Sequence, residues 1–300
     1  MRTRFVAGLL SLLLFHLFSP VVLGEHLPEL SITGVWARPT ASAEMLPGSP
    51  ADPASVSAAY LTIDNLSEEA VTLVSASTPA AGSVEIHETQ MGTGDVMRMR
   101  PVENGIPIEP GGQAVLEPGG YHIMLRDLTY ELPVGEAFSL LLIFETGDGT
   151  LFEMIIGVPV LEEAPETSDI LIRDAWARPA VMGDAGGISA AYLTLRNQGD
   201  SDDAVIAAQT SAAEVVELHT MTIGAGDVMQ MRPIEALAIP TGEMAVLEPG
   251  GDHVMLIDLQ RDLVVNEAIV ITLVFESGRE QVIAVPVRDP LTENMGHNHG

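Results

Sequence analysis

The chain repeats itself at an interval of about 130 residues, and any fold must accommodate both copies. "SAAYLTI" at residues 57–63 returns as "SAAYLTL" at 189–195, and "AVLEPGGYHIML" at 114–125 returns as "AVLEPGGDHVML" at 245–256. A repeat of this length is too long for a solenoid unit and has the size of a domain. The sequence therefore predicts two tandem domains of one type.

Each copy consists of short apolar runs that are separated by turn-forming residues. "AAYLTID", "AVTLVSA" and "FSLLLIFE" are typical runs, and Gly, Pro, Asn and Asp lie between them. No long stretch has a helical period. Apolar residues make up 47% of the chain and aromatic residues only 4%, so aliphatic side chains must fill the interior. The pattern predicts an all-β fold, as a sandwich or a barrel, in each copy.

The two ends of the chain differ in composition from the copies. Arg2 and Arg4 precede an apolar stretch, and Val22-Leu23-Gly24 offers a cleavage site, which is typical of an export signal. We expect a periplasmic or secreted protein; an uncleaved anchor is the less favoured alternative. The expected divisions are a signal at 1–24, a first domain at 25–160, a linker at 161–168, a second domain at 169–290 and a tail at 291–300.

Charge and cysteine content exclude several classes of function. Acidic residues number 42 against 13 basic ones, and a net charge of −29 argues against nucleic acid and anionic membranes as partners. The chain contains no cysteine, which excludes thiolate catalysis, zinc–cysteine sites and a blue-copper centre. No pairing of a nucleophile with a base is evident, so we do not expect an enzyme. The acidic loops lack the spacing of a calcium-binding loop.

Histidine and methionine recur together in both copies. Eleven residues separate His87 from Met99, and eleven separate His219 from Met231. A His-x-Met triplet follows in "HIML" and in "HVML". Because strand residues alternate between faces, Ile123 and Leu125 are expected in the core and the neighbouring histidine and methionine on the outer face.

These donors favour a soft metal ion. Thioether sulfur is neutral and polarisable and suits Cu(I), and imidazole also binds copper. Zinc would prefer cysteine, histidine or carboxylate, and calcium would require oxygen. A single methionine more often belongs to a core, but the joint spacing recurs. Ligands at the surface would allow a partner to remove the ion.

The chain resembles two tandem domains of the PCuAC family of periplasmic copper chaperones. The family motif, His-x10-Met-x21-His-x-Met, lies on a cupredoxin-like β-sandwich, so the resemblance implies an all-β fold of two such domains. It implies Cu(I) binding in each domain and delivery to a respiratory oxidase subunit with a CuA centre. By resemblance, the ligands are His87, Met99, His122, Met124, His219, Met231, His253 and Met255.

The chain departs from the family motif in its spacing. The first gap has one extra residue in both copies, and the second gap has one extra in the first copy. We expect these insertions in loops around 92–94, 224–226 and 105–112. Met97 and Met229 remain possible competitors, because each shares a strand face with the assigned methionine.

The tail "NMGHNHG" carries a further group of donors. Met295, His297 and His299 lie within five residues of one another. Histidine nitrogen suits Cu(II) better than a thioether does, so we expect a separate Cu(II) site there. Two alternatives to the chaperone remain open, namely a periplasmic copper store and a β-sandwich interaction module that binds no metal. After signal cleavage we expect no membrane association.

Overall fold

The computed structural model describes residues 28–40, 56–91, 97–183, 186–223 and 229–289. These residues form twenty β-strands and no helix, so the all-β prediction is confirmed. In particular, they contain no helix with the length and apolar character needed to cross a membrane. The predicted signal and tail lie outside the described residues, and so do the loops around 92–94 and 224–226.

The first copy contains ten strands. They are β1 (Leu30–Ala37), β2 (Val56–Asn65), β3 (Val71–Ser77), β4 (Ala81–Met91), β5 (Met97–Pro101), β6 (Ile106–Ile108), β7 (Gln113–Leu116), β8 (Tyr121–Leu128), β9 (Ala137–Thr146) and β10 (Leu151–Pro159).

The second copy repeats the same ten strands in the same order. They are β11 (Ile170–Ala177), β12 (Ile188–Asn197), β13 (Asp203–Gln209), β14 (Ala213–Ile223), β15 (Met229–Pro233), β16 (Leu237–Ile239), β17 (Met244–Leu247), β18 (His253–Leu259), β19 (Ala268–Phe275) and β20 (Glu280–Pro286).

Each copy is a sandwich of one six-stranded and one four-stranded sheet. In the first copy the six-stranded sheet has the order β1-β2-β7-β8-β4-β5, and β2 also pairs with β8. The four-stranded sheet has the order β10-β9-β3-β6. The second copy has sheets of the same sizes, with β18, β14 and β15 in the places of β8, β4 and β5. The prediction of two tandem β-sandwiches is confirmed.

Strand alternation accounts for the core of each sandwich. In β8, Ile123 and Leu125 are fully buried, and they pack in one cluster with Phe138, Leu140 and Phe144 of the opposing sheet. Each such side chain contributes about 1.5–3 kcal/mol when it leaves water. The residues between them necessarily point to the outer face of the six-stranded sheet.

A glycine turn fixes the entry into β8. Gly119 has a φ of +90°, in the left-handed region that residues with a side chain rarely adopt. The Gly120 amide donates to the Glu117 carbonyl at 2.9 Å and closes the turn. Gly250 repeats this conformation before β18, with a φ of +89°. The "EPGG" of both copies therefore sets the position of the residue that follows it.

The two sandwiches contact each other through the outer faces of their four-stranded sheets. Gly157 in β10 lies against Ala284 in β20, where a Cβ on the glycine would be 2.3 Å from the Ala284 carbonyl oxygen. Ser139 in β9 donates to the Asn266 carbonyl. Glu29, just before β1, lies 3.2 Å from the Arg173 guanidinium of β11. The edges that carry β1 and β11 are therefore the edges nearest the other copy.

Candidate metal centre

Two histidines lie opposite each other on the outer face of each six-stranded sheet. His87 in β4 is the cross-strand partner of His122 in β8, and their ring centroids are 5.7 Å apart. His219 in β14 and His253 in β18 form the same pair, at 5.8 Å. Both pairs meet edge to face. The structure therefore brings together the two predicted histidines of each copy, although 34 residues separate them in the first copy and 33 in the second.

The histidine rings are not exposed to solvent. His122 is only 3% exposed and His253 only 4%. The expectation of ligands at the surface is therefore wrong for these rings, although the sheet face was predicted correctly. In the second copy an aromatic side chain of the adjacent strand contributes to this burial, since the ring of Tyr192 lies 6.3 Å from that of His253 and 4.6 Å from that of Trp176.

A backbone hydrogen bond fixes the tautomer of the β8 and β18 histidines. Nδ1 of His122 lies 3.1 Å from the Gly120 carbonyl oxygen, and Nδ1 of His253 lies 3.1 Å from that of Gly251. A carbonyl can only accept, so Nδ1 carries the proton in each neutral ring and Nε2 carries a lone pair. Nε2 of His122 is buried without a partner. Metal-binding histidines are commonly oriented by such a bond on the other nitrogen.

A carboxylate fixes the opposite tautomer in the β4 and β14 histidines. Nε2 of His87 lies 2.8 Å from Oε2 of Glu85, and Nε2 of His219 lies 2.7 Å from Oε2 of Glu217. The carboxylate accepts the Nε2 proton, which leaves a lone pair on Nδ1. Nδ1 is buried without a partner in both rings. Such unpartnered buried nitrogens are costly unless a ligand satisfies them.

Burial lowers the pKa of His122 below its usual value. The hydrogen bond to Gly120 opposes this shift, and the fields of His87 and Arg38 reinforce it. The ring is therefore neutral at pH 7, with its Nε2 lone pair free to bind a metal ion. Because no proton must first leave, metal uptake at this nitrogen carries little cost at neutral pH.

Thioethers flank the histidine pair on both sides along the strands. Met124 is half-buried and lies opposite Glu85, two residue pairs along the strands from the histidines. Met255 has the same place opposite Glu217. On the other side, the β4–β5 hairpin extends beyond the sandwich, and Met99 is 61% exposed. The predicted ligand methionines thus share one sheet face with the histidines.

Strand register distinguishes the assigned methionines from their competitors. His87 lies opposite Pro101, so Met99 is its diagonal neighbour and Met97 lies two residues farther out. Diagonal neighbours have Cβ atoms about 7–8 Å apart or less, within reach of a long side chain. The Cε of Met97 instead lies 4.0 Å from the Cβ position of Gly119. In the second copy, Met231 and Met229 have the corresponding places.

The donors beside each histidine pair are soft ones, since the methionines on this face offer thioether sulfur, which suits Cu(I). No group of three or more His, Cys, Asp or Glu side chains that could hold a metal occurs among the described residues. Sequence reasoning missed Glu85 and Glu217, although "VEIH" and "VELH" repeat a glutamate two residues before each histidine. Met295, His297 and His299 lie outside the described residues, so the tail site stays a prediction.

Comparisons with solved structures find the same kind of domain. A copper-bound PCuAC domain from PmoF2 is 27% identical, over 42% of this chain and 97% of that one, with a TM-score of 0.35. CuI-DR1885 from Deinococcus radiodurans is 33% identical, over 40% of this chain and 80% of that one, with a TM-score of 0.32. Both matched structures are PCuAC-type or copper-loaded proteins by their names, and each spans about one copy of this chain.

Among curated proteins, two bacterial relatives each match about one copy. The putative lipoprotein Lxx21020 of Leifsonia xyli subsp. xyli is 31% identical over 137 residues, which are 45% of this chain and 80% of that protein. The uncharacterized protein RP573 of Rickettsia prowazekii is 32% identical over 130 residues, which are 43% of this chain and 65% of that protein. The family described as "Putative lipoprotein LpqE-like" matches residues 30–156 and 170–287, and the chain belongs to this family, with its domain present twice.

Proposed function

We propose that the protein is an exported copper chaperone that carries one Cu(I) ion in each domain. The carrying observation is the facing histidine pair of each copy, with thioethers beside it. The free nitrogens of His87, His122 and His219 are buried without a partner. A sheet face that serves only for packing would have no use for buried nitrogens without a hydrogen-bond partner. A zinc or calcium site would need further anionic or oxygen donors on the same face.

The ligands of the first site are His87, His122, Met99 and Met124, and those of the second are His219, His253, Met231 and Met255. Glu85 and Glu217 orient one histidine each, and the carbonyls of Gly120 and Gly251 orient the other. Copper is the cargo of the protein and undergoes no reaction there.

Unequal exposure of the ligands favours transfer over storage. The histidines are buried, whereas Met99 and Met231 are 61% and 46% exposed on a projecting hairpin. An acceptor ligand can therefore displace the outer thioether first while the histidines still hold the ion. A copper-storage protein would be expected to enclose all four donors. The resemblance to PCuAC domains supports a CuA centre as the acceptor and the periplasm as the compartment.

The first experiment is an anaerobic titration of the apo-protein with Cu(I) against bicinchoninate. We expect two tightly bound ions per chain, and one after Met124→Leu, because leucine keeps the bulk and loses the sulfur. Met154→Leu is the matched control, since Met154 is also half-buried but packs against the core of the first copy. A wild-type protein that takes up no Cu(I) would contradict the proposal and favour an interaction module.

Transfer distinguishes a chaperone from a store. The copper-loaded protein is mixed with an apo-CuA fragment, and the two are separated and assayed for copper. We expect most of the copper on the acceptor. If the protein keeps both ions although its affinity for Cu(I) does not exceed that of the acceptor, it is a store instead.

A further inference from the structure

The strands β4 and β14 place a methionine at different distances from their histidines. In the first copy, Met99 of the hairpin lies directly opposite Thr89 on β4. In the second copy, Met231 lies directly opposite Met221 on β14.

The histidines, the orienting glutamates and the four assigned methionines occupy the same register in both. The first copy has its additional strand methionine at Met91, opposite Met97, where the second has Ile223 opposite Met229. The additional methionine is therefore two residues from the histidine in the second copy and four residues from it in the first.

Met221 lies on the face that carries the donors. It follows His219 by two residues on the same strand, so both side chains leave the sheet on one side. Residues directly opposite each other on antiparallel strands have Cβ atoms about 4.5–5.5 Å apart, which brings the thioethers of Met221 and Met231 within mutual reach. Met221 is half-buried, whereas Met231 is more exposed.

The first copy has no equivalent of this sulfur at the histidine pair. Thr89 offers only a hydroxyl, a hard donor that Cu(I) disfavours. Its additional methionine, Met91, is four residues from His87 and lies opposite Met97, whose methyl group is over Gly119. No atom among the described residues lies within 4 Å of the Cβ position of Gly250, the corresponding glycine. The extra sulfur is thus placed differently in the two copies.

We propose that Met221 is an additional thioether ligand of the second centre, which makes that centre richer in sulfur and tighter for Cu(I) than the first. This inference rests on the proposed function, because it requires that both centres bind Cu(I). Since Cu(I) accepts up to four ligands, the third thioether replaces the weakest of the other donors. At one equivalent of Cu(I), the second centre fills before the first.

The test uses full-length protein in which one centre is silenced at a time. His122→Asn leaves only the second centre, and in that background Met221→Thr installs the residue of the first copy. We expect Cu(I) affinity, measured against bicinchoninate, to fall by a factor on the order of ten or more, since even the loss of an outer-shell partner costs metal sites 10–100-fold. Met221→Leu controls for side-chain bulk, and its Cu(I) affinity should fall by the same factor. X-ray absorption should show less sulfur around copper in both variants.

The reciprocal change tests the same idea in the other copy. His253→Asn leaves only the first centre, where Thr89→Met should raise the affinity and the sulfur content, and Thr89→Leu should not. If Met221→Thr changes neither affinity nor sulfur content while both centres bind Cu(I), the inference is wrong and the proposed function stands. If the isolated second centre binds no Cu(I) at all, both are wrong. Circular dichroism confirms that each variant is folded.

Discussion

The two sheets of each sandwich have similar inner faces and different outer faces. Both inner faces are aliphatic and fully buried, as Ile123 in β8 and Leu140 in β9 illustrate. The outer face of the six-stranded sheet carries imidazole and thioether donors, whereas that of the four-stranded sheet carries small residues such as Gly157 and Ser139, which contact the other copy. The outer face of one sheet thus carries the candidate metal donors, and the outer face of the other makes the contact between copies. Changes on one outer face should leave the role of the other intact.

The largest effect is expected from removing a histidine of the first centre. His122→Asn deletes the unpartnered Nε2, and copper bound per chain should fall from two ions to one. Packing between the copies should not change, because β8 is not among the strands of that interface. Copper analysis after dialysis against bicinchoninate measures the first effect and small-angle scattering the second. A chain that still retains two ions would show that His122 is not a ligand.

A side chain at Gly157 should separate the copies and spare the metal centres. Gly157→Val places a Cβ 2.3 Å from the Ala284 carbonyl oxygen, and overpacking of this kind typically costs about 1–3 kcal/mol. The radius of gyration should increase and amides of β10 and β20 should exchange faster. Gly147→Val is the control, since nothing lies within 4 Å of its Cβ position. Unchanged scattering by the Gly157 variant would contradict the interface described above.

A smaller effect is expected from the carboxylate that orients His87. Glu85→Ala removes the acceptor of the Nε2 proton, and copper affinity of the first centre should fall by about 10–100-fold, as is typical for outer-shell partners. Glu85→Gln should recover part of this loss, because its amide oxygen still accepts the proton. Glu88→Ala is the control on the opposite face of β4. Equal copper affinities for the Glu85 and Glu88 variants would show that Glu85 has no role in the centre.

The smallest effect is a pH dependence of the apo-protein. His122 has a lowered pKa in the folded state, so the unfolded chain binds the proton more readily. The free energy of unfolding should therefore fall as pH drops below about 6.5, the usual histidine value, and this contribution should level off below the folded pKa. Urea unfolding at several pH values measures it, with His122→Asn as reference. Identical slopes for the two proteins would contradict the shift.

Local patterns predicted more of the fold than of the centre. Alternation in "HIML" correctly predicted that Ile123 and Leu125 are buried and that His122 and Met124 share the other face. Burial of the histidines was missed; the ring beside His253, for example, is that of Tyr192 in β12, a strand whose neighbours are set by tertiary pairing. Even the glutamate two residues before His87 was overlooked, since alternation places side chains on a face but does not reveal hydrogen bonds.

The hairpin register and the contacts between the two domains were still harder to predict from the sequence. Met97 and Met99 share a face in any strand, and only the pairing of His87 with Pro101 shows which is nearer. The difference between "GVPV" and "AVPV" is visible in the repeat, but nothing in either motif indicates that these residues meet. Such contacts depend on how two finished sandwiches fit together, which strand patterns do not encode.

The order of strands in the six-stranded sheets determines how far apart the two histidine pairs lie. The edges with β1 and β11 are nearest the other copy, and β4 and β14 lie three strands farther out. With strands about 4.8 Å apart, the two centres are separated by on the order of 30 Å. If both domains carry copper as proposed above, one chain presents two ions about this far apart. Once one domain docks on an assembly with two acceptor sites that match this span, the second ion would be delivered at a high effective concentration.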